Sequence, residues 1–395
     1  MPTTSLTLSA PELQQQQQPD IAMPYQSRRR KLLRGIARGI YVVAEFGFGV
    51  ISLCVLLAII AAIPGVNLLA LGVMLAAEGN IARTGSFSHG FAWLKPAAHL
   101  GRLVLGSLIF LLPLGFLGSF ASDAVLIDPD SAATWRLRGF TAIAACLVYL
   151  NILLAVARGG KIRDFFRPLG NWRWLRQQLR SGTYLESTAA SIQDFIRRFE
   201  LWKHLQLGFL GACGVLMWTF LPTTLFALAD STRGPAVLVT LLGGGLLVVV
   251  LCWLPILQAG FANEGKLQAF RKIGEARRLF RNSPALWTLV LLLGYALSLV
   301  LYLFKIVAPP RDAVWLLTLI FIAVIYPARL LAGWVYYWSS HRPRPAWYGW
   351  RWVWNLLCFA ICGVYVFLLF FTRDIGAYGK LVLYEQPFLL IPSPF

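Results

Sequence analysis

The chain is predicted to be all-α: a polytopic transmembrane bundle of about eight to nine membrane helices, with basic amphipathic helices along one interface. Three observations predict it. Of the 395 residues, 58% are hydrophobic and only 13% charged, whereas soluble domains carry about a quarter charged residues. The apolar residues gather in long unbroken runs, and a helix bathed in hydrocarbon needs roughly 20 such residues in succession. When those runs are drawn as crossings, 29 of the 36 Lys and Arg residues fall in stretches on one side. An excess of Lys and Arg in short loops orients a membrane protein.

Residues 1–26 are polar, with a Gln run from Gln14 to Gln18 followed by Pro19; such low complexity predicts disorder. No signal peptide is expected, because the first apolar run begins near Tyr41, after the cluster Arg28, Arg29, Arg30, Lys31, Arg34 and Arg38. With Leu32, Leu33 and Ile36, that cluster reads as an interfacial helix over 27–40 on the cytoplasmic face. The runs 41–63, 66–82, 100–122 and 137–157 form a first membrane unit, and 205–229, 236–260, 285–307, 314–338 and 352–372 a second. The segment 373–395 is expected to be a tail on the outside. The outer segments hold the remaining 7 bases together with Asp123, Asp128, Asp130, Asp230 and Asp312.

The stretch 41–82 is too long for one crossing, and Pro64, Gly65 and Asn67 interrupt it. Its second arm of 17 residues reaches about 26 Å at 1.5 Å per residue, slightly short of the roughly 30 Å hydrocarbon core. Both a full hairpin and a re-entrant pair return the chain to its starting side, and the sequence leaves these two open. A single bent helix across 41–80 would put the first basic cluster outside and leave 23 bases inside against 13, so it is rejected. Aromatic residues agree with this drawing. Trp135 and Trp315 fall at outer helix ends, while Trp172, Trp174, Trp202, Trp287, Trp334, Trp338 and the group from Trp347 to Trp354 crowd the inner ends.

Two basic stretches separate the spans. In 158–204, Phe165, Phe166, Trp172, Trp174, Leu175 and Leu179 are interleaved with Arg163, Arg167, Arg173, Arg176 and Arg180. Further on, Ile192, Phe195, Ile196, Phe199 and Trp202 recur at helical spacing. Residues 262–283 repeat the theme with Lys266, Arg271, Lys272, Arg277, Arg278 and Arg281. This is the pattern of amphipathic helices lying among lipid headgroups. The net charge of +19 is therefore read as attraction to anionic headgroups. Nucleic acid is not expected as a partner, because the bases recur beside span ends instead of forming one soluble domain.

All six cysteines lie inside apolar runs, where cysteine behaves as a small apolar residue. Neither a disulfide framework nor a zinc site is expected. Cys358 and Cys362 share a helix face and read as small packing residues. The four histidines are scattered, none in a metal-binding motif. No phosphate-cradling loop is present; the triplet Gly243 to Gly245 reads as a close helix contact. No cofactor and no catalytic residues are expected.

An internal echo links Ala-Ala-Glu-Gly at 76–79 with Ala-Asn-Glu-Gly at 262–265. Each closes an apolar run containing a proline, and each precedes a basic segment and a span, so a parallel repeat and coincidence both remain open. The segments NLLALGVMLAAEGNIARTGSFSHGF, GFLGACGVLMWTFLP, ANEGKLQAFRKIGEARRLFRNSPALW and FIAVIYPARLLAGWVYYW resemble uncharacterised bacterial polytopic membrane proteins. Those are grouped with domain of unknown function number four thousand and thirteen or a near neighbour. The likeness covers about residues 40–340 and implies a multi-pass protein of the bacterial inner membrane, without an assigned activity.

Polar groups at membrane depth are the candidate functional positions. Glu45 lies one turn into the first run and is expected to reach headgroups. Asn67 sits at the break in 41–82. Glu78 and Glu264 stand at helix ends, where Arg83 or Lys266 are the expected partners. Asn151 is deeper and is expected to hydrogen-bond across a helix contact. Arg329 follows Tyr326-Pro327 and is expected to snorkel inward as an anchor. No buried pair of opposite charges is evident from spacing. Two functional classes survive: a structural or accessory membrane protein, and a small-solute transporter. A polar pocket lined by Asn67, Asn151, Glu45 or Glu78 would favour transport, and a dry bundle the accessory role.

Overall fold

Hydrocarbon offers no hydrogen bonds, so a spanning backbone must satisfy itself, and a helix does so along its whole length. The computed structural model describes residues 25–182, 189, 190, 193, 197, 199–228, 235–304, 314–372 and 379–390. Residues 1–24 of the expected polar stretch, and Ile192, Phe195 and Ile196 of the amphipathic pattern, lie outside the described residues; Tyr25 and Gln26 already belong to a helix. Among the described residues the chain is helical with no strand. Eight helices among the described residues are long and apolar enough to cross a membrane.

Contacts divide the chain into Met1–Phe48 and Gly49–Phe395. In the first unit, the described residues belong to helix α1, Tyr25–Ala61, which continues past the unit boundary. The expected interfacial helix over 27–40 is therefore not a separate element, because nothing between Tyr25 and Ala61 breaks the hydrogen-bond ladder.

In the second unit, the chain leaves α1 through a turn at Ala62–Val66, where Gly65 adopts φ +81°. Pro64 and Gly65 stop the helix as expected. Helix α2, Asn67–Thr84, then runs through the middle of this unit with residues on every side buried, among them Leu71, Met74, Leu75, Glu78 and Ile81. Glycine permits that enclosure. A methyl group on Gly72 would lie 1.7 Å from the His204 carbonyl oxygen, and one on Gly208 would lie 1.8 Å from that of Leu68. Gly79 meets the Ala262 carbonyl and Gly333 that of Glu78 in the same way. With no side chains between them, the backbones touch. Small residues provide such contacts in membranes, where association relies on close packing rather than on the hydrophobic effect.

The remaining helices are α3, Leu94–Ile127, and α4, Ala132–Ala157, then short α5, Ile162–Phe165, and α6, Pro168–Ser181. They are followed by α7, Leu201–Ala227, and α8, Pro235–Glu264. The last four are α9, Ile273–Asn282; α10, Pro284–Phe304; α11, Val314–His341; and α12, Tyr348–Thr372. Among the described residues each expected apolar run lies in a helix; α1 begins 16 residues before its run, at Tyr25, and the other ends shift by at most six residues. Helices α2, α7, α8 and α11 pack on one another, while α3 and α4 pack mainly together and carry α5 and α6. Leu112, Phe116, Phe120, Phe140, Ile143 and Leu147 leave α3 and α4 coated with exposed apolar groups.

The two basic segments part company in the structure. In α9, Ala276, Leu279 and Phe280 are buried against the bundle while Arg277, Arg278 and Arg281 face outward. In α6, Leu169, Trp172 and Leu179 stay exposed. Of these two helices, α6 is the one whose apolar side chains stay exposed.

The internal echo exists as backbone geometry, in a register six residues from the one the Glu-Gly pairs suggest. Gly85 after α2 and Gly265 after α8 both cap their helix in the left-handed region, at φ +71° and +70°. One extended residue follows each, then a five-residue 3-10 turn, Phe87–Phe91 and Leu267–Arg271. The Gly90 carbonyl accepts from Tyr326, and the Phe270 carbonyl, at the matching position, accepts from Trp218.

The segment expected as an outer tail is packed instead. Residues 379–390 include a 3-10 turn, Gly379–Tyr384, and bury Val382, Leu383, Phe388 and Leu389 in the core.

Gly208→Ala is expected to destabilise the protein by about 1–3 kcal/mol through overpacking. Gly245→Ala, with nothing within 4 Å of the added methyl, is expected to leave stability unchanged or slightly raised. Thermal unfolding in detergent, followed by tryptophan fluorescence, compares the two.

Candidate functional site

Charge inside a membrane protein is expensive unless it is paired and hydrogen-bonded. Helix α2 carries Glu78 into the core, and α11 brings Arg329 beside it because Gly333, one turn on, lets the two backbones meet. Arg329 Nη1 donates to Glu78 Oε2 at 2.9 Å, and each side chain is only 2% exposed. Arg329 Nη2 donates to the Leu389 carbonyl at 2.7 Å and to Gln258 Oε1 at 3.4 Å. Gln258 Nε2 in turn donates to the same Leu389 carbonyl at 2.8 Å. One ion pair thus ties α2, α8, α11 and the 379–390 segment together.

The network continues along that segment. Tyr365 donates to Gln386 Oε1 at 2.9 Å, and Tyr302 donates to the Glu385 carbonyl. Tyr295 stacks on Tyr365 with ring centroids 4.6 Å apart and meets the edge of Phe388 at 6.0 Å. Gly294 leaves room for the Phe388 ring. Close by, Cys252 of α8 meets Cys358 and Cys362 of α12, and the three sulfur atoms lie within 4.8 Å of one another.

A separate cavity of about 520 Å³ opens where α2 and α8 end and α7 begins. Asn80, Arg83, Trp93, Lys203, His204 and Glu264 are among its lining residues. Most of its charges are already engaged. Arg83 donates to the Asn263 carbonyl at 2.6 Å and to Asn80 Oδ1 at 2.8 Å. The Lys203 ammonium, 2.7 Å from Glu200, holds that carboxyl below its ordinary range. Lys272, 2.5 Å from Glu264, has its own affinity for a proton raised by that carboxylate.

Of the expected positions in the second unit, the structure brings Glu78 and Arg329 together, and Asn67, Asn151 and Glu264 do not join that pair. Glu45 is exposed on α1 in the first unit. Asn67 is half-buried at the start of α2 and, unlike Glu264, does not line the cavity. Asn151 does hydrogen-bond across a contact: it donates to the Phe165 carbonyl at 2.9 Å and accepts from buried Asn171 at 3.0 Å, pinning α5 and α6 to α4. Two expected pairings are corrected. Glu78 meets Arg329 instead of Arg83 or Lys266, and Glu264 meets Lys272. Arg329 does not snorkel: it is buried, and its guanidinium is taken by the Glu78 carboxylate, the Leu389 carbonyl and Gln258. The sequence reading missed Gln258, Gln386 and Cys252. Gln258, a lone amide in the apolar stretch after Trp253, was the available signal.

Eight helices among the described residues that are long and apolar enough to cross a membrane define a multi-pass membrane protein. Beyond that class, no family model, no curated protein and no solved structure matches the chain.

Arg329→Met is expected to destabilise the bundle by about 3–5 kcal/mol, because it leaves Glu78 buried and uncompensated. Glu78→Leu combined with Arg329→Met is expected to recover much of that loss. A double-mutant cycle on unfolding in detergent measures the coupling.

Proposed function

We propose that this chain is a structural or accessory membrane protein, acting in envelope organisation or as a subunit of a larger membrane assembly. One observation carries the reading: among the described residues, Glu78, Arg329, Gln258 and Asn151 are engaged in hydrogen bonds within the protein, and none of them lines the 520 Å³ cavity. Glu78 is neutralised by Arg329, Asn151 is used on α5 and α6, and backbone contacts at Gly72, Gly79 and Gly208 fill the space around α2. A carrier needs a polar site that opens alternately to each side of the membrane.

The bias of Lys and Arg supports the basic residues near the N-terminus lying in the cytoplasm and the segment after α12 lying outside; a bacterial inner membrane is what the family resemblance implies. The exposed Leu169, Trp172 and Leu179 on α6, beside Arg173, Arg176 and Arg180, suit an anionic headgroup layer.

The second reading is a small-solute transporter. It draws on the 520 Å³ cavity and on the matched Gly85 and Gly265 turns. Purified protein in liposomes, with insertion confirmed, is expected to take up a mixture of labelled amino acids, sugars and organic anions no faster than protein-free liposomes. Uptake above that control would overturn the accessory reading in favour of the transporter.

A further inference from the structure

A cysteine that only fills space faces leucine and alanine. Cys252, Cys358 and Cys362 face each other: their sulfur atoms converge within 4.8 Å, and the residues are 2%, 3% and 0% exposed. The arrangement has a simple origin. Residues four apart share one helix face, so Cys358 and Cys362 form an adjacent pair on α12, and α8 lays Cys252 against it. All three stand near the middle of their helices, among the apolar side chains of the core. Tyr295, whose hydroxyl donates to the Leu251 carbonyl at 2.6 Å, is a neighbour of all three. Cys54, Cys146 and Cys213 belong to no such group.

We propose that Cys252, Cys358 and Cys362 form a three-coordinate sulfur site for copper(I). Soft sulfur ligands select copper(I) over harder ions. Structural zinc sites are closed by four ligands, and iron–sulfur clusters also take four cysteines. This group offers three sulfurs and, among the described residues, no fourth His, Asp, Glu or Cys ligand. Each sulfur binds as a thiolate: copper(I) takes the place of the thiol protons, which are released, and no oxidation state changes. Neither the Glu78–Arg329 pair nor the structural reading of the protein uses these thiols, so the inference stands apart from both.

The test uses the full chain, purified in detergent under anaerobic, reducing conditions and titrated with copper(I) against a chromogenic copper(I) chelator. The expected result is one tightly held copper(I) per chain, with only sulfur in its first shell by X-ray absorption. Cys252→Ala, Cys358→Ala and Cys362→Ala are each expected to weaken retention by more than about tenfold, since loss of even an outer-shell partner costs roughly 10–100-fold. Joint replacement of Cys54, Cys146 and Cys213 by alanine is expected to change nothing. Where an alanine variant is not monodisperse, Cys362→Ser, which keeps the volume, takes its place. Copper is also expected to raise the unfolding temperature of the wild type and not of the variants. Retention by the wild type no better than by the three cluster variants would overturn the proposal. So would oxygen or nitrogen ligands in the first shell, or loss of copper in the Cys54, Cys146 and Cys213 variant instead.

Discussion

The core of the second unit, where α2, α8, α11 and the 379–390 segment meet, is organised by the need to keep one positive and one negative charge together away from water. Glu78 and Arg329 are separated by 251 residues in the chain and by 2.9 Å in space. Desolvating two ions costs several kcal/mol each, and only short contact with each other plus further hydrogen bonds returns it. The carbonyl of Leu389 and the amide of Gln258 supply those bonds. The pair is therefore best understood as a registration device. A buried pair adds little net stability over a well-packed apolar contact, yet it penalises every arrangement that separates its members.

Close backbone approach is what makes that registration possible. Glu78 can meet α11 because Gly333 faces the Glu78 carbonyl, and α2 can nestle between α7 and α8 because Gly72, Gly79 and Gly208 carry no side chain there. The same economy of volume recurs at Gly243, where an added methyl would strike the backbone of α7 at Phe226. Small residues and one ion pair thus do complementary work: the first brings helices near, the second selects which faces meet. The 379–390 segment depends on both. Gly294 leaves room for Phe388, and Arg329, Gln258, Tyr302 and Tyr365 hold the backbone and Gln386 in place.

The helices themselves were legible in the sequence, because uninterrupted apolar runs have few other stable states in lipid. The break at Pro64-Gly65 was equally plain, and the amphipathic character of 273–282 could be read from its arginines. Asn151 was assigned a contact role that its bonds to Phe165 and Asn171 match. Partners were not legible. Glu78 had Arg83 within two turns on its own helix, and sequence distance made that the natural choice; on α2 the two side chains project to different sides, and Arg83 is taken by Asn80 and Asn263. The segment after α12 looked like a tail because its short apolar pieces carry no periodicity long enough to announce a packed element.

The amino-acid order alone determined where this chain is helical, where it turns, and which stretches are basic, since those features follow from side chains acting on their own few turns of backbone. Only the tertiary structure decided that Arg329 faces Glu78, that Cys252 joins Cys358 and Cys362, and that Leu389 enters the core. Those meetings depend on how closely and at what rotation helices far apart in the chain approach. Glycine positions and packing between helices set that approach, and neither leaves a pattern along a single helix.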